Sequence, residues 1–146
     1  MNGKLGARDL IGGVAQTVYI NNTTGHTFFS LNILNRSNEP VKVSVALTEV
    51  QNVIELADYI EYEIEIQPKG VLYRTGLSVS PTECVTVLSK SSNVNAVVWG
   101  IEQGDTVSSP IEILPATESD DPVWYNPTSL TFNPGYFDYK LYAEDA

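Results

Sequence analysis

The stretch VKVSVAL, residues 41–47, decides the fold of this chain. Its branched apolar residues occupy every second position, with Lys42, Ser44 and Ala46 between them. Successive side chains of a β-strand point to opposite faces, so this run has one face to bury and one to leave in water. A period of two rather than 3.6 predicts strands and not helices.

The same alternation recurs along the chain and is interrupted by turn residues, as in NNTTG at 21–25, NRSNEP at 35–40 and QPKG at 67–70. Strands are predicted at 15–20, 27–34, 41–49, 59–66, 70–75, 83–89 and 95–102. The fold class is therefore all-β, an antiparallel β-sandwich or small barrel of about seven strands. Segment 49–58, EVQNVIELAD, departs from the alternation and is predicted to be a short helix or a shaped crossover loop.

Composition and charge exclude several classes of function. The 146 residues include 18 acids and 8 bases, which give a formal net charge of −10. Nucleic acid is not an expected partner, because phosphate binding needs a basic surface. One cysteine and one histidine exclude an intrachain disulfide, a cysteine zinc cluster and a His–His metal motif. No apolar run approaches the ~18 residues of a membrane span and no signal peptide is recognisable, so we expect a soluble, intracellular product without a membrane partner.

Three alternating carboxylates raise the question of a charged site. In DYIEYEIEI, residues 58–66, the acids are Glu61, Glu63 and Glu65, and the intervening positions are apolar or aromatic. Alternate residues of one strand lie about 6.6–7 Å apart, too far for three carboxylates to close on one ion without other ligands. An acid pair for glycoside cleavage would also need a partner across a cleft. The favoured interpretation is a solvated face, opposite a buried face formed by Ile60, Tyr62, Ile64 and Ile66.

The other candidates for chemistry are isolated. His26 follows a glycine in a predicted turn, and Cys84 lies in the predicted strand ECVTV with no histidine near it in sequence. The glycines of LIGGV, residues 10–14, are not followed by the lysine of a phosphate-binding loop. The triplets NNT, NTT and NRS match glycosylation acceptors, which matter only in a secreted protein. The sequence indicates no catalytic residue, cofactor or metal site, and we expect a protein that is not an enzyme.

The two ends differ from the β-sandwich domain predicted at 14–102. Residues 1–13 are predicted to be an extended N-terminal arm, and residues 103–146 a C-terminal extension with eight of the eighteen acids and seven aromatic residues. Aromatic side chains at that density need a surface to lie against, either their own domain or a neighbouring subunit. The candidate assembly contacts are Lys4, Leu5, Arg8, Leu10 and Ile11 in the arm and Trp124, Tyr125, Tyr136, Phe137 and Tyr139 in the extension.

A set of motifs in fixed order resembles a known family. GKLGARDL (3–10), TVYI (17–20), LNILNR (31–36), DYIEYEIEI (58–66), GVLYRTG (70–76) and SSNVNAVVWGIE (91–102) are similar in order and spacing to small virion structural proteins of tailed bacteriophages, common among cyanophages. The resemblance covers residues 3–102 and implies a short all-β module without enzymatic activity. The family pattern differs at three positions: it has a cysteine where this chain has Leu34, an acid where it has Tyr73 and a tyrosine where it has Trp99. Its members often end soon after GIE, which makes residues 103–146 an extension.

Two functions of different classes follow from the resemblance and from the ends. The favoured one is a virion structural protein, a capsid decoration or cement subunit that docks through its extended ends on the major capsid protein or on neck or tail proteins. The alternative is a neck, tail or fibre component whose β-sandwich binds a receptor or glycan, and a free-standing hydrolase is a weaker third. An arm-to-extension contact between subunits would give a homo-oligomer, with a trimer favoured over a dimer. The expected location is the virion, after synthesis in the host cytoplasm.

Overall fold

A computed structural model describes residues 2–115, which form eight β-strands and one 3₁₀ turn, Leu56–Asp58. The strands are β1 (Asn2–Leu10), β2 (Ala15–Ile20), β3 (Thr27–Asn35), β4 (Val41–Thr48), β5 (Tyr59–Ile66), β6 (Val71–Val79), β7 (Cys84–Ser89) and β8 (Val94–Glu102). The all-β antiparallel sandwich predicted from the alternation is confirmed. None of the described residues forms a helix that is long and apolar enough to span a membrane.

The strands form two four-stranded antiparallel sheets. Sheet 1 has the order β1-β8-β3-β6, and sheet 2 has the order β2-β7-β4-β5. The pairs β1–β8, β2–β7, β3–β6 and β4–β5 are those of one long hairpin wound over on itself. The pairs β3–β8 and β4–β7 join the layers of that hairpin. This strand order is that of an eight-stranded jelly roll.

The hydrophobic core lies between the two sheets and is built from the inward positions of their strands. Leu31, Ile33, Val45, Val87 and Val98 are fully buried at its centre. Each such side chain contributes roughly 1.5–3 kcal/mol through its removal from water. Because both sheets supply these residues, neither sheet can form its buried face without the other.

Residues 2–10 belong to the sandwich and not to a separate arm, which corrects the predicted boundary between 1–13 and 14–102. β1 pairs with β8 along its length, and Leu10 is only 3% exposed. Glycines interrupt the alternation of β1 and so hide it in the sequence. Gly6 is required by close packing, because a Cβ atom there would lie 2.4 Å from the carbonyl oxygen of Val18 in β2.

β5 does not keep the alternation that its sequence predicts. Its pairing with β4 shifts register twice, and Glu63 adopts a left-handed φ of 50° in one of the irregular segments. Ile66 is buried as predicted, but Tyr62 and Ile64 are 59% and 37% exposed. The prediction of a continuous buried face over residues 60–66 is therefore wrong, because the extra residues of the bulges rotate the side chains between them.

All four edge strands carry register irregularities, whereas the central pairs β3–β8 and β4–β7 are continuous. Edge bulges interrupt the row of free backbone groups and discourage pairing with another strand. Side chains also join the two sheets at their open sides. Arg8 Nη1 donates to the carbonyl of Thr17 at 3.0 Å on the β1–β2 side, and Arg74 pairs with Glu61 on the β5–β6 side.

Two turns share one buried asparagine motif. Asn21 Oδ1 accepts hydrogen bonds from the backbone N–H and the hydroxyl of Thr23, at 3.0 and 2.7 Å. Asn35 Oδ1 accepts from the same two groups of Ser37, at 2.9 and 2.7 Å, and its Nδ2 donates to the carbonyl of Ile66 at 3.0 Å. Both asparagines are buried. Two of the triplets that match glycosylation acceptors are thus turn motifs with an inaccessible asparagine.

Candidate functional site

The outer face of sheet 1 carries several exposed apolar side chains. Phe28 of β3, Tyr73 of β6 and Ile101 of β8 are 48%, 54% and 54% exposed, and they point outward by the registers of these strands. We call the outward positions of β3, β6 and β8 the aromatic face. They are Phe28, Ser30, Asn32, Leu34, Val71, Tyr73, Thr75, Ser78, Asn95, Val97, Trp99 and Ile101.

The aromatic face is made of neutral side chains, although the chain has a net charge of −10. None of its twelve positions, all within the described residues, holds an aspartate, glutamate, lysine or arginine. Charges lie at its margin on β1, where Lys4 is opposite Trp99 and Asp9 pairs with Arg36. A neutral face can be buried against another molecule without the cost of removing a charge from water.

Tyr73 and Trp99 form the centre of the aromatic face. Their ring centroids are 5.8 Å apart and their planes are inclined by 24°. Since β6 and β8 flank β3 at about 4.8 Å on each side, the two rings lean toward each other over β3. An open cavity of about 330 Å³ beside Trp99 is bounded by Phe28, Thr75 and Ile101. Tyrosine and tryptophan suit interfaces because each joins a large apolar ring to a hydrogen-bond donor.

Part of the outer face of sheet 2, in contrast, is covered by the chain itself, although Tyr62 and Ile64 of its edge strand β5 are exposed. Residues 49–58 fold over it as a loop that ends in the 3₁₀ turn, which is closer to the predicted crossover loop than to a helix. Asn52 Oδ1 accepts from the N–H of Thr17 at 2.8 Å, and the Asn52 N–H donates to Thr17 Oγ1 at 2.9 Å. Below this contact, the buried hydroxyls of Thr17, Thr86 and Thr48 form a row at 3.0 and 2.9 Å.

Residues 103–115, which we call the C-terminal strap, lead the chain from sheet 1 to the sheet 2 side. β8 ends in sheet 1 at Glu102, and the strap then forms an isolated bridge between Thr106 and Thr23. The Asn22 amide holds the next part, since its Oδ1 accepts from the Ile111 N–H at 2.8 Å and its Nδ2 donates to the Ile111 carbonyl at 2.9 Å.

A second side-chain amide fixes the far end of the strap. Gln51 Oε1 accepts from the Leu114 N–H at 2.7 Å, and Gln51 Nε2 donates to the Glu112 carbonyl at 2.8 Å. Gln51 belongs to the loop beside sheet 2, and Arg8 Nη2 of β1 in sheet 1 donates to the Leu114 carbonyl at 3.5 Å, so the strap ends between the sheets on the β1–β2 side. The first part of the predicted extension is therefore attached to its own domain.

A cavity of about 310 Å³ lies between the strap and sheet 2. Its walls include Ile20, Val50, Cys84, Ile111 and Leu114. Burial raises the pKa of the Cys84 thiol, which therefore stays protonated at neutral pH. A neutral thiol is a poor nucleophile, so Cys84 serves as a packing group in this wall.

Tyr19 is a buried residue near the start of the strap. Its hydroxyl donates to Glu102 Oε2 at 2.5 Å and contacts Thr27 Oγ1 at 2.9 Å. Burial, and next the hydrogen bond to Glu102, raise the pKa of Tyr19 far above its ordinary value. Tyr19 is thus a neutral, structural donor that ties β2 to the end of β8.

The five predicted contacts of the N-terminal arm do not form a free arm. Leu10 lies in the core and Leu5 packs against it. Arg8 bonds to the carbonyl of Thr17, and the N–H of Ile11 donates to Gln16 Oε1 at 2.5 Å. Of these five residues, Lys4 is the one whose side chain is exposed, at the margin of the aromatic face. The predicted contacts Trp124, Tyr125, Tyr136, Phe137 and Tyr139 lie outside the described residues.

Inspection of the alternation alone missed the aromatic face, although the sequence contains a signal for it. Phe28 has the same parity in β3 as the polar Ser30 and Asn32, and the opposite parity to the buried Leu31. An aromatic residue at an outward parity is the sign of an exposed apolar face. Among residues 2–115, no group of three or more His, Cys, Asp or Glu side chains could hold a metal ion.

The chain was also compared with known proteins. No family model, curated protein or solved structure matches it significantly.

Proposed function

We propose that this protein is a non-enzymatic virion structural protein, a capsid decoration or cement subunit, whose assembly surface is the aromatic face. The observation that carries the proposal is the exposure of Phe28, Tyr73 and Ile101 on a face without acidic or basic side chains. Exposed apolar patches of this kind mark sites of protein association. Large aromatic residues supply most of the binding energy at such sites when water is excluded around them.

The edges of the sandwich are unsuited to assembly by strand addition. Each edge strand has a bulge, and arginine side chains close both open sides. Docking through a sheet face is therefore favoured over docking through a sheet edge. Two analogies support the virion role: the order of motifs resembles phage structural proteins, and the jelly roll is common in viral capsid proteins.

A second function is favoured by a different feature of the same face. The hydroxyls of Ser30 and Thr75 lie 3.1 Å apart beside the Tyr73 and Trp99 rings. Aromatic rings flanked by neutral hydrogen-bonding groups could hold a sugar, as a receptor- or glycan-binding component of the neck, tail or fibre would require. Saturable binding of the wild-type protein to a glycan array, lost in Tyr73→Glu, would favour this alternative.

The decoration role is tested by rebinding to phage particles assembled without this protein. Tyr73→Glu puts a charge on the aromatic face, and Tyr62→Glu is the matched control on β5, because these tyrosines are 54% and 59% exposed. We expect wild type and Tyr62→Glu to bind at a fixed ratio to the major capsid protein, and Tyr73→Glu to bind roughly tenfold or more weakly. Quantitative mass spectrometry of washed particles gives this ratio. Equal binding of both variants, or no binding of wild type, would overturn the proposal.

A further inference from the structure

We propose that the aromatic face of one subunit binds the C-terminal segment 116–146 of a second copy of this chain. This inference rests on the proposed function, because it identifies the partner of the same assembly surface. The segment is an apt occupant by composition. It contains Trp124 and six further aromatic residues, and aromatic side chains are the anchors that an apolar, neutral face accommodates best.

The C-terminal strap indicates that the segment is directed away from its own aromatic face. β8 belongs to sheet 1, so a segment meant for the same subunit's aromatic face could continue directly from Glu102. The strap instead runs along the β1–β2 side of the sandwich, where Asn22 and Gln51 hold it by four hydrogen bonds of 2.7–2.9 Å. The segment therefore starts at the β1–β2 side of the sandwich, where Arg8 Nη2 also donates to the Leu114 carbonyl at 3.5 Å, and not on the aromatic face.

Length and charge are compatible with a contact between subunits. Residues 116–146 number 31, and an extended chain of that length reaches roughly 100 Å. The sandwich itself is only about 10 Å thick between its sheets. The segment carries six acids and one base, and Lys4 at the margin of the aromatic face supplies a complementary charge. A neutral face in an otherwise acidic protein is also where a second acidic chain meets the least repulsion.

The donor segment and the acceptor face are two different surfaces, so each contact between them is heterologous. Such contacts run head to tail and close into a ring when the rotation between subunits allows it. This geometry agrees with a closed trimer or with a two-fold dimer whose subunits exchange segments, and it disfavours a dimer in which two aromatic faces meet. In this contact, the aromatic residues of the segment are the donor groups, and Tyr73, Trp99 and their neighbours form the acceptor.

Complementation between two full-length variants tests this assignment. The acceptor variant is Tyr73→Glu, which keeps the segment intact. The donor variant replaces Trp124, Tyr125, Tyr136, Phe137 and Tyr139 by serine, which keeps the aromatic face intact. Tyr62→Glu is the matched surface control. Sedimentation velocity measures the mass of each purified protein and of an equimolar mixture of the two variants, and circular dichroism verifies that each one is folded.

We expect wild type and Tyr62→Glu to form one closed oligomer, each variant alone to be a monomer, and the mixture to form a one-to-one heterodimer. The mixture yields a heterodimer only if one chain supplies the segment and the other supplies the face. A monomeric wild type would overturn the inference, as would a donor variant that still oligomerises or a mixture that stays monomeric. These measurements use no particles, so their failure is distinguishable from the failure of Tyr73→Glu to lose particle binding.

Discussion

At the scale of single residues, the buried asparagines of the two turns are the most demanding positions outside the core. Asn35 accepts two hydrogen bonds from Ser37, and its Nδ2 donates to the carbonyls of Glu39, Ile66 and Gln67 at 2.7, 3.0 and 3.3 Å. One amide thus satisfies polar groups from two connections of the jelly roll. A side chain of another shape would leave several of them buried without a partner.

We predict that Asn35→Ala lowers the free energy of unfolding by about 2–4 kcal/mol, because buried carbonyl groups lose their donor. Asn38→Ala in the same turn is the control, since Asn38 is exposed, and it should change stability by less than about 0.5 kcal/mol. Urea denaturation measures both values through the midpoint at an unchanged slope. Similar effects of the two substitutions would contradict the structural role of Asn35.

Tyr19 leads to a prediction about alkaline pH. Its folded pKa lies above the unfolded value of about 10, so the unfolded chain loses the phenolic proton first as pH rises. The stabilising contribution is therefore complete below pH ~10 and decreases as pH rises toward the folded pKa. Cys84 acts in the same direction, beginning near its ordinary pKa of 9.0.

We expect the melting temperature of wild type to fall steadily above pH ~10, and Tyr19→Phe to show a shallower decrease on top of a constant loss from the missing hydrogen bond. Thermal melts across the alkaline range measure this difference. Cys84→Ala serves as a control that removes only the earlier-titrating thiol. An alkaline slope that is identical in wild type and Tyr19→Phe would show that Tyr19 ionises equally in both states.

At the scale of strands, alternation predicted seven segments that agree closely with β2 to β8, except that β6 continues to Val79 and not only to residue 75. The prediction from alternation failed in strands where a factor other than burial determines which residue type occupies a position. In β1, Gly6 replaces a side chain because β2 approaches closely there, and Gly3 adopts a positive φ of 102°, so no alternation is visible. In β5, bulges change which residues face inward, and their location depends on the paired strand β4 rather than on the sequence of β5.

The bulges of β5 give the alternating acids different roles, which a double-mutant cycle can measure. Glu61 pairs with Arg74 across the open side of the sandwich, with side chains 18% and 35% exposed. Glu63 pairs with Lys90 at 3.3 Å, with side chains 36% and 54% exposed. Burial strengthens an ion pair only where water is partly excluded.

We predict a coupling free energy of about 1–2 kcal/mol between Glu61 and Arg74, against less than about 0.5 kcal/mol for the more exposed pair of Glu63 and Lys90. Glutamine replaces each glutamate and arginine, and methionine replaces the lysine, so that length is kept. Chemical denaturation of the four proteins in each cycle supplies the values. Equal coupling in the two cycles would mean that Glu61 is solvated like its neighbours, as the sequence first suggested.

At the scale of the whole molecule, the period of the apolar residues was sufficient for the fold class but not for the strand order. Alternation records which face of a strand is buried and contains no information about its neighbour, so β1 pairing with β8 could not be predicted. The candidate site was hidden for a related reason. Outward aromatic residues such as Trp99 resemble core residues until the registers show which way they point.

The structure changes the expectation for the smallest folding unit. Residues 14–102 were predicted to suffice, but that fragment lacks Leu10 in the core and leaves β8 as an edge. We predict that residues 1–115 melt cooperatively with a β-type circular dichroism spectrum, and that 14–102 melts at least about 10 °C lower or without cooperativity, since a lost core leucine alone removes about 2–5 kcal/mol. Identical melts would show that β1 contributes nothing to the domain.

The strand order of this jelly roll also determines when β1 can pair during synthesis on the ribosome. β1 is translated before the other described strands, and its partner β8 is the last of them. At about 5–20 residues per second, β1 must wait roughly 5–20 seconds before residue 102 has been added. Because two of its residues are glycines, β1 has few apolar side chains that could bind another nascent chain in that interval. β1 thus presents few apolar side chains during synthesis and lies, once it has paired with β8, at the margin of the aromatic face.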